Sequence, residues 1–110
     1  QILPQIRYVQ SLGNDCLVVY SDNNQKRKLE LACNLQDLAQ CFGDKFFLRV
    51  HKSYLINPQH HFSLKRRTSA DYDLALYQDL IPVGRKYAKQ VKSQINPVET
   101  LPNNDLASTV

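Results

Sequence analysis

Cations set at strand spacing among apolar residues distinguish the stretch Phe46–Asn57 (FFLRVHKSYLIN), which carries Arg49, His51 and Lys52. Successive side chains on a strand point to opposite faces, so a ladder of this kind presents charge at fixed positions to an anionic partner. The pattern returns in Ile81–Tyr87 (IPVGRKY), which leads Arg85 and Lys86 into a helix-like stretch bearing Lys89 and Lys92. Two further clusters are Lys26-Arg27-Lys28 and Lys65-Arg66-Arg67. A guanidinium is a planar fork that pairs with guanine O6 and N7, whereas an ammonium serves a base acceptor or a phosphate as a point charge. Any one cluster taken alone has the plainer reading of a solvated face.

Other chemistries find less support in the same residues. Ser53, His51 and Asp71 or Asp73 are the residue types of a hydrolytic triad. Ser53 and His51 lie only two apart on a strand, however, with no sharp nucleophile turn and no glycine-rich oxyanion or phosphate loop. The reading is a protein without catalytic function. Cys16, Cys33 and Cys41 are odd in number and form no Cys-x-x-Cys pair, which argues against a disulfide framework and a zinc ribbon and for reduced, cytosolic thiols. His51, His60 and His61 have no companions at zinc-like spacing, so neither metal nor cofactor is expected.

The elements that position these residues must come from 110 residues, 43% hydrophobic and 22% charged, with a formal net charge of +4. That length predicts one domain with a single core. No apolar run approaches the roughly 20 residues of a membrane-crossing helix. The chain opens on Gln1 with neither a charged n-region nor a cleavage pattern, and the expectation is a piece of a longer protein.

Ile6–Gln10 and Cys16–Tyr20 read as strands joined through Ser11-Leu12-Gly13-Asn14-Asp15, a hairpin signal. Asp22-Asn23-Asn24 makes the next turn and Lys28–Ala32 a third strand, with Leu29 and Leu31 on one face. The period then changes: Leu35, Leu38 and Phe42 form one stripe of a short helix, with Asn34 as cap, Asp37 in the first turn and Gly43 after the last. Asn57-Pro58 breaks the chain, and Phe62–Arg67, Tyr72–Tyr77 and Leu80–Val83 continue as strands. Beyond Gly84, Tyr87, Val91 and Ile95 share a packing face while Lys86, Lys89 and Lys92 share a cationic one. Pro97 ends this helix, and residues 97–110 are expected to be a flexible tail after a domain spanning 1–96.

Phe47-x-Arg49-Val50-His51-Lys52-Ser53-Tyr54-x-x-Asn57, followed by Ile81-Pro82-Val83-Gly84-Arg85-Lys86-Tyr87, resembles the LytTR family of bacterial DNA-binding domains. Ile6-x-Tyr8-Val9, the Gly13-Asn14 turn and Leu35-x-x-Leu38 fit the family's opening hairpin and short helix. The resemblance implies a mainly β fold, an elongated stack of small antiparallel sheets with a mid-chain and a C-terminal helix, whose loops reach double-stranded DNA. Carried over by position, it implies contacts from Asn14, Asp15 and Cys16, from Lys52 and Ser53, and from Arg85 with Lys86 beside it. Arg49, Tyr54, Lys65, Arg66, Arg67 and Lys89 are further candidates for the DNA backbone. Gly84 stands where the family often has serine, which leaves only its backbone N–H for a phosphate.

Some of these residues have structural readings of equal standing. By strand alternation Arg49 shares the His51 face, where it can pair with Glu30 or Asp44, and His51 fixes the strand by a hydrogen bond while Lys52 and Tyr54 take the outer face. The resemblance further implies paired direct repeats bound by a dimer, and a cytoplasmic output domain of a transcription regulator in a two-component system. Upstream it implies a receiver domain or a membrane sensor. The rival reading is a protein-interaction module that uses exposed sheet edges and basic patches.

Overall fold

The computed structural model describes residues 5–43 and 46–94. They are mainly β, arranged as two antiparallel sheets with two short helices. The chain divides into two compact units, Gln1–His60 and His61–Val110. The division falls just after the Asn57-Pro58 break, where proline stops the ladder.

The first unit contains β1 (Ile6–Leu12), β2 (Asp15–Asp22), β3 (Gln25–Leu31), α1 (Leu35–Phe42), β4 (Leu48–His51) and β5 (Tyr54–Ile56). Its strands run in the order β3-β2-β1-β5-β4. The two-residue turns follow from residues that tolerate positive φ: Gly13 at 82° between β1 and β2, and Asn23 and Asn24 at 52° and 67° between β2 and β3. Ile6, Val9, Cys16, Val18, Leu35, Leu38, Phe47 and Leu55 form the core cluster. Tyr8, Val19 and Ile56, on the opposite sheet face, are also buried. Asn34 caps α1 as expected, its Oδ1 accepting from the Asp37 N–H at 2.8 Å, and Gly43 leaves the helix at φ 90°.

Phe46–Asn57 is a hairpin rather than one strand. Phe46 and Phe47 precede β4 and stack with Phe42, with centroid separations of 4.7 to 5.7 Å among the three rings. In β4 the register shifts between Arg49 and His51, leaving Val50 as the extra residue of a bulge, and Lys52-Ser53 forms the turn into β5. Leu29 and Leu31 share a face of β3 as expected, opposite Val18 and Cys16, with Leu29 exposed and Leu31 half-buried against the core.

The second unit has β6 (Phe62–Arg66), β7 (Tyr72–Leu76) and β8 (Asp79–Val83), in that order, followed by a 3-10 turn at Arg85–Tyr87 and α2 (Ala88–Ser93). The last helical segment therefore starts as a tighter turn before Val91, which is fully buried. Tyr77 takes φ 56° in the two-residue turn between β7 and β8, where sequence alone gives no glycine or asparagine to expect it. Ile95 and the expected 97–110 tail lie outside the described residues. No helix among the described residues is long and apolar enough to cross a membrane.

Asn57 is completely buried, donating through Nδ2 to the Ile6 carbonyl at 2.9 Å and accepting at Oδ1 from the Gln59 N–H at 3.0 Å. Its truncation would leave a buried carbonyl and an amide without their partners. Asn57→Ala is expected to cost about 2 kcal/mol, read as a lowered midpoint in urea unfolding; an unchanged midpoint would remove Asn57 from the framework.

Candidate nucleic-acid interface

The expected contact residues of the first unit meet at one end of its sheet because of the β1–β5 pairing. The Ser11 N–H donates to the Ser53 carbonyl at 2.8 Å, and Leu12 pairs with Asp15 across the Gly13-Asn14 turn. The Lys52-Ser53 turn thus lies beside the Gly13-Asn14 turn. Asn14, Asp15 and Lys52 are exposed there and Ser53 is half-buried. Asp15 offers an acceptor suited to a cytosine N4 amine and repels phosphate at close range.

Arg49 holds the Lys52 turn from behind. Its Nε donates to the His51 carbonyl at 2.8 Å and its Nη2 to the Lys52 carbonyl at 2.6 Å. These two carbonyls replace the expected carboxylates; Asp44 lies outside the described residues. The bulge at Val50 and the turn also break the simple alternation that placed Tyr54 beside Lys52 on an outer face. Tyr54 instead stands tilted against Tyr8 at 6.3 Å and edge-on to His51 at 5.6 Å.

His51 closes the same turn, its Nδ1 accepting from the Ser53 N–H at 3.0 Å. Nδ1 accepts only when unprotonated, so the neutral ring carries its proton on Nε2. Burial, with Lys52 and Arg49 adding repulsion, holds the imidazole below its usual 6.5. Cys16 is fully buried in the core, contrary to its expected place in a contact loop. Alternation on β2 turns it inward from exposed Asp15, and burial pushes its thiol up to about 11, with neighbouring Cys33 contributing.

In the second unit, the end of the sheet that carries Arg66, Tyr72 and Val83 also carries the 67–71 loop and Gly84-Arg85. Arg85 is 73% exposed at its side chain, yet its Nε donates to Asp71 Oδ1 at 2.8 Å and its Nη2 to Asp71 Oδ2 at 3.3 Å. These bonds, with one from Thr68, hold the Asp71 carboxyl below its ordinary range and raise the Arg85 guanidinium. Tyr72 is a platform for two cations, with the Lys92 Nζ 4.2 Å and the Arg66 guanidinium 5.4 Å from its ring centroid. Lys92, first of all, and then Arg66 lower the Tyr72 hydroxyl below its usual value. Arg67 pairs with Asp73 at 3.3 Å, Lys86 lies 5.3 Å from the centre of the Tyr87 ring, and Lys65 and Lys89 are exposed.

Asp71, Thr68 and Tyr72 are absent from the contact set that the sequence suggested. The signal for Tyr72 is its registry opposite Arg66; Asp71 is 14 residues from Arg85 and becomes its partner only through the pairing of β7 with β8. No group of three or more histidine, cysteine or acidic side chains placed to hold a metal ion occurs among the described residues.

The model of the LytTr DNA-binding domain family matches residues 3–96. A solved LytTr DNA-binding domain from a Bacillus cereus response regulator is similar in fold, with a TM-score of 0.69 and 17% identity over 84% of this chain and 82% of that one. Comparison with curated proteins gave no match.

The depressed His51 value has a definite sign. The unfolded chain takes up a proton near pH 6.5 while the folded chain resists it, so the stabilisation is complete above 6.5 and is lost as pH falls through the folded value. The urea midpoint is expected to drop between pH 7.5 and pH 5.5, and to drop less in His51→Gln. An equal drop in both proteins would assign the effect to other groups.

Proposed function

The chain belongs to the LytTR family of DNA-binding domains, and from that premise we propose that it binds double-stranded DNA sequence-specifically through one end of each sheet, the end that carries Lys52 in the first unit and the end that carries Arg85 in the second. The observation that carries this reading is the Lys52-Ser53 turn: an exposed ammonium on a tip whose backbone is tied by Arg49, His51 and Ser11. A turn fixed before binding loses little conformational freedom on meeting its partner. Asn14, Asp15, Lys52 and Ser53 form the contact set of the first unit. Arg85 and Lys86 form that of the second, with Lys65, Arg66, Arg67 and Lys89 supplying attraction to flanking phosphates. Arg49 and Tyr54 support the turn, and Cys16 belongs to the core.

Arg85 is the proposed base reader and Lys52 a phosphate contact, a division that follows from the fork of one side chain and the point charge of the other. The protein would serve as the output domain of a bacterial transcription regulator in the cytoplasm, under a receiver or membrane sensor, and would occupy paired direct repeats as a dimer. Addition of a partner strand at the sheet edge is the second reading. β3 is an exposed edge, but Lys26, Arg27, Lys28 and Glu30 line it, and charge of this density opposes strand addition.

Selection of the protein on random duplexes at about 150 mM salt, where weak surface attraction is screened, should enrich one sequence. On that duplex, Arg85→Ala should lose about 1–3 kcal/mol of discrimination against a scrambled one. Lys52→Ala should weaken both equally and reduce the slope of log affinity against log salt by about 0.9. Equal losses on both duplexes for Arg85→Ala would contradict base reading.

A further inference from the structure

Asp71 is engaged at every polar atom that the 67–71 loop can reach. Its carbonyl accepts from the Arg67 and Thr68 N–H groups at 2.9 and 3.2 Å. Its Oδ2 accepts from the Thr68 hydroxyl at 3.1 Å, and Thr68 Oγ1 in turn accepts from the N–H groups of Ala70 and Asp71 at 3.2 and 3.0 Å. The carboxylate is therefore a post set in a closed turn. Its two oxygens grip the Nε and Nη2 of Arg85 along one edge of the guanidinium. A mobile surface ion pair contributes little; here one partner is fixed by four further hydrogen bonds within its own loop.

We propose that Asp71 is the positioning residue that aims Arg85 and selects a guanine edge over a phosphate as its partner, an inference that rests on Arg85 facing DNA. With the Nε–Nη2 edge occupied, the donors left to Arg85 are both hydrogens of Nη1 and the outer one of Nη2. One Nη1 hydrogen and the outer Nη2 hydrogen lie side by side at the end of the side chain, the spacing that meets O6 and N7 of guanine, while the second Nη1 hydrogen points back towards Cδ. Holding the long side chain in one pose removes rotamer freedom before DNA arrives. Charge favours the same partner. Arg85 and Asp71 together are neutral, so a phosphate drawn to Arg85 meets a carboxylate close behind it, while the uncharged guanine edge meets no such repulsion. The pair thus trades general attraction for discrimination.

The test compares the protein with Asp71→Asn, Arg85→Ala and the double variant on a duplex selected by the unaltered protein and on a scrambled one. The asparagine substitution keeps the size of the side chain and removes its charge. Asp71→Asn should bind scrambled DNA more tightly and with a steeper salt slope, and its target-to-scrambled ratio should fall about fivefold, the lower end of a bidentate contact's worth. The double variant should match Arg85→Ala alone, because Asp71 acts only through Arg85. If Arg85→Ala loses discrimination while Asp71→Asn keeps it, Asp71 has no positioning role, though the base-reading function stands. If Arg85→Ala keeps discrimination, the reading of Arg85 fails, and the role of Asp71 with it. A readout independent of folding of the variants is the Arg85 Nε–H resonance in the free, unaltered protein: slow exchange with water is expected, and rapid exchange would overturn the fixed pose.

Discussion

Asn57 hydrogen-bonds the Ile6 carbonyl through its side chain and the Arg7 carbonyl through its N–H at one end of the β1–β5 ladder, and Ser53 receives the Ser11 N–H at the other. This pairing joins two hairpins that are far apart in sequence into one sheet. A slip of one residue would turn every inward side chain of β5 outward, so Leu55 would leave the core. The same register sets the Lys52 turn beside the Gly13-Asn14 turn. The position of Lys52 in the first unit is thus a by-product of where one buried amide fixes the chain.

The second unit holds its cations with carboxylates and an aromatic ring. Arg85 lies on Asp71, Arg67 on Asp73, and Lys92 and Arg66 on the ring of Tyr72. Each contact limits where a cation can point, and the acidic partners cut the net attraction for any polyanion. In both units the sheets carry much of the apolar burial, while Lys52 and Arg85 stand at the turn or loop at one sheet end. A surface arranged in this way depends on position more than on total charge, which suits a protein whose net charge is only +4.

Much of this was legible in the residues because local signals are read by local physics. Asn34 and Gly43 mark the ends of α1, alternation marks β1, β2 and β7, and glycine or paired asparagines mark two hairpin turns. The conspicuous miss is Phe46–Asn57. Its alternation is real on both arms, but the bulge at Val50 and the turn at Lys52-Ser53 contain no glycine, proline or asparagine to announce them. The side-chain directions of Arg49, His51 and Tyr54 could not then be counted along a single strand. The turn expected between Tyr77 and Leu80 starts one residue early, at Tyr77 itself, where no glycine or asparagine announces the positive φ. Cys16 was misplaced because its neighbour Asp15 is at a loop, while a strand turns adjacent residues to opposite faces. Asp71 and Arg85 could not be paired without the β7–β8 register, which no spacing along the chain reveals.

Under the proposed function one end of each sheet meets DNA and the other does not. Titrating the isotopically labelled protein with a duplex it has selected, and following the backbone amide resonances, distinguishes the two ends. The proposed contact set requires shifts concentrated at Asn14, Asp15, Lys52, Ser53, Arg85 and Lys86, with the Asn23-Asn24 and Tyr77-Gln78 turns unmoved. Shifts centred on those two turns, or spread evenly over both ends, would contradict it.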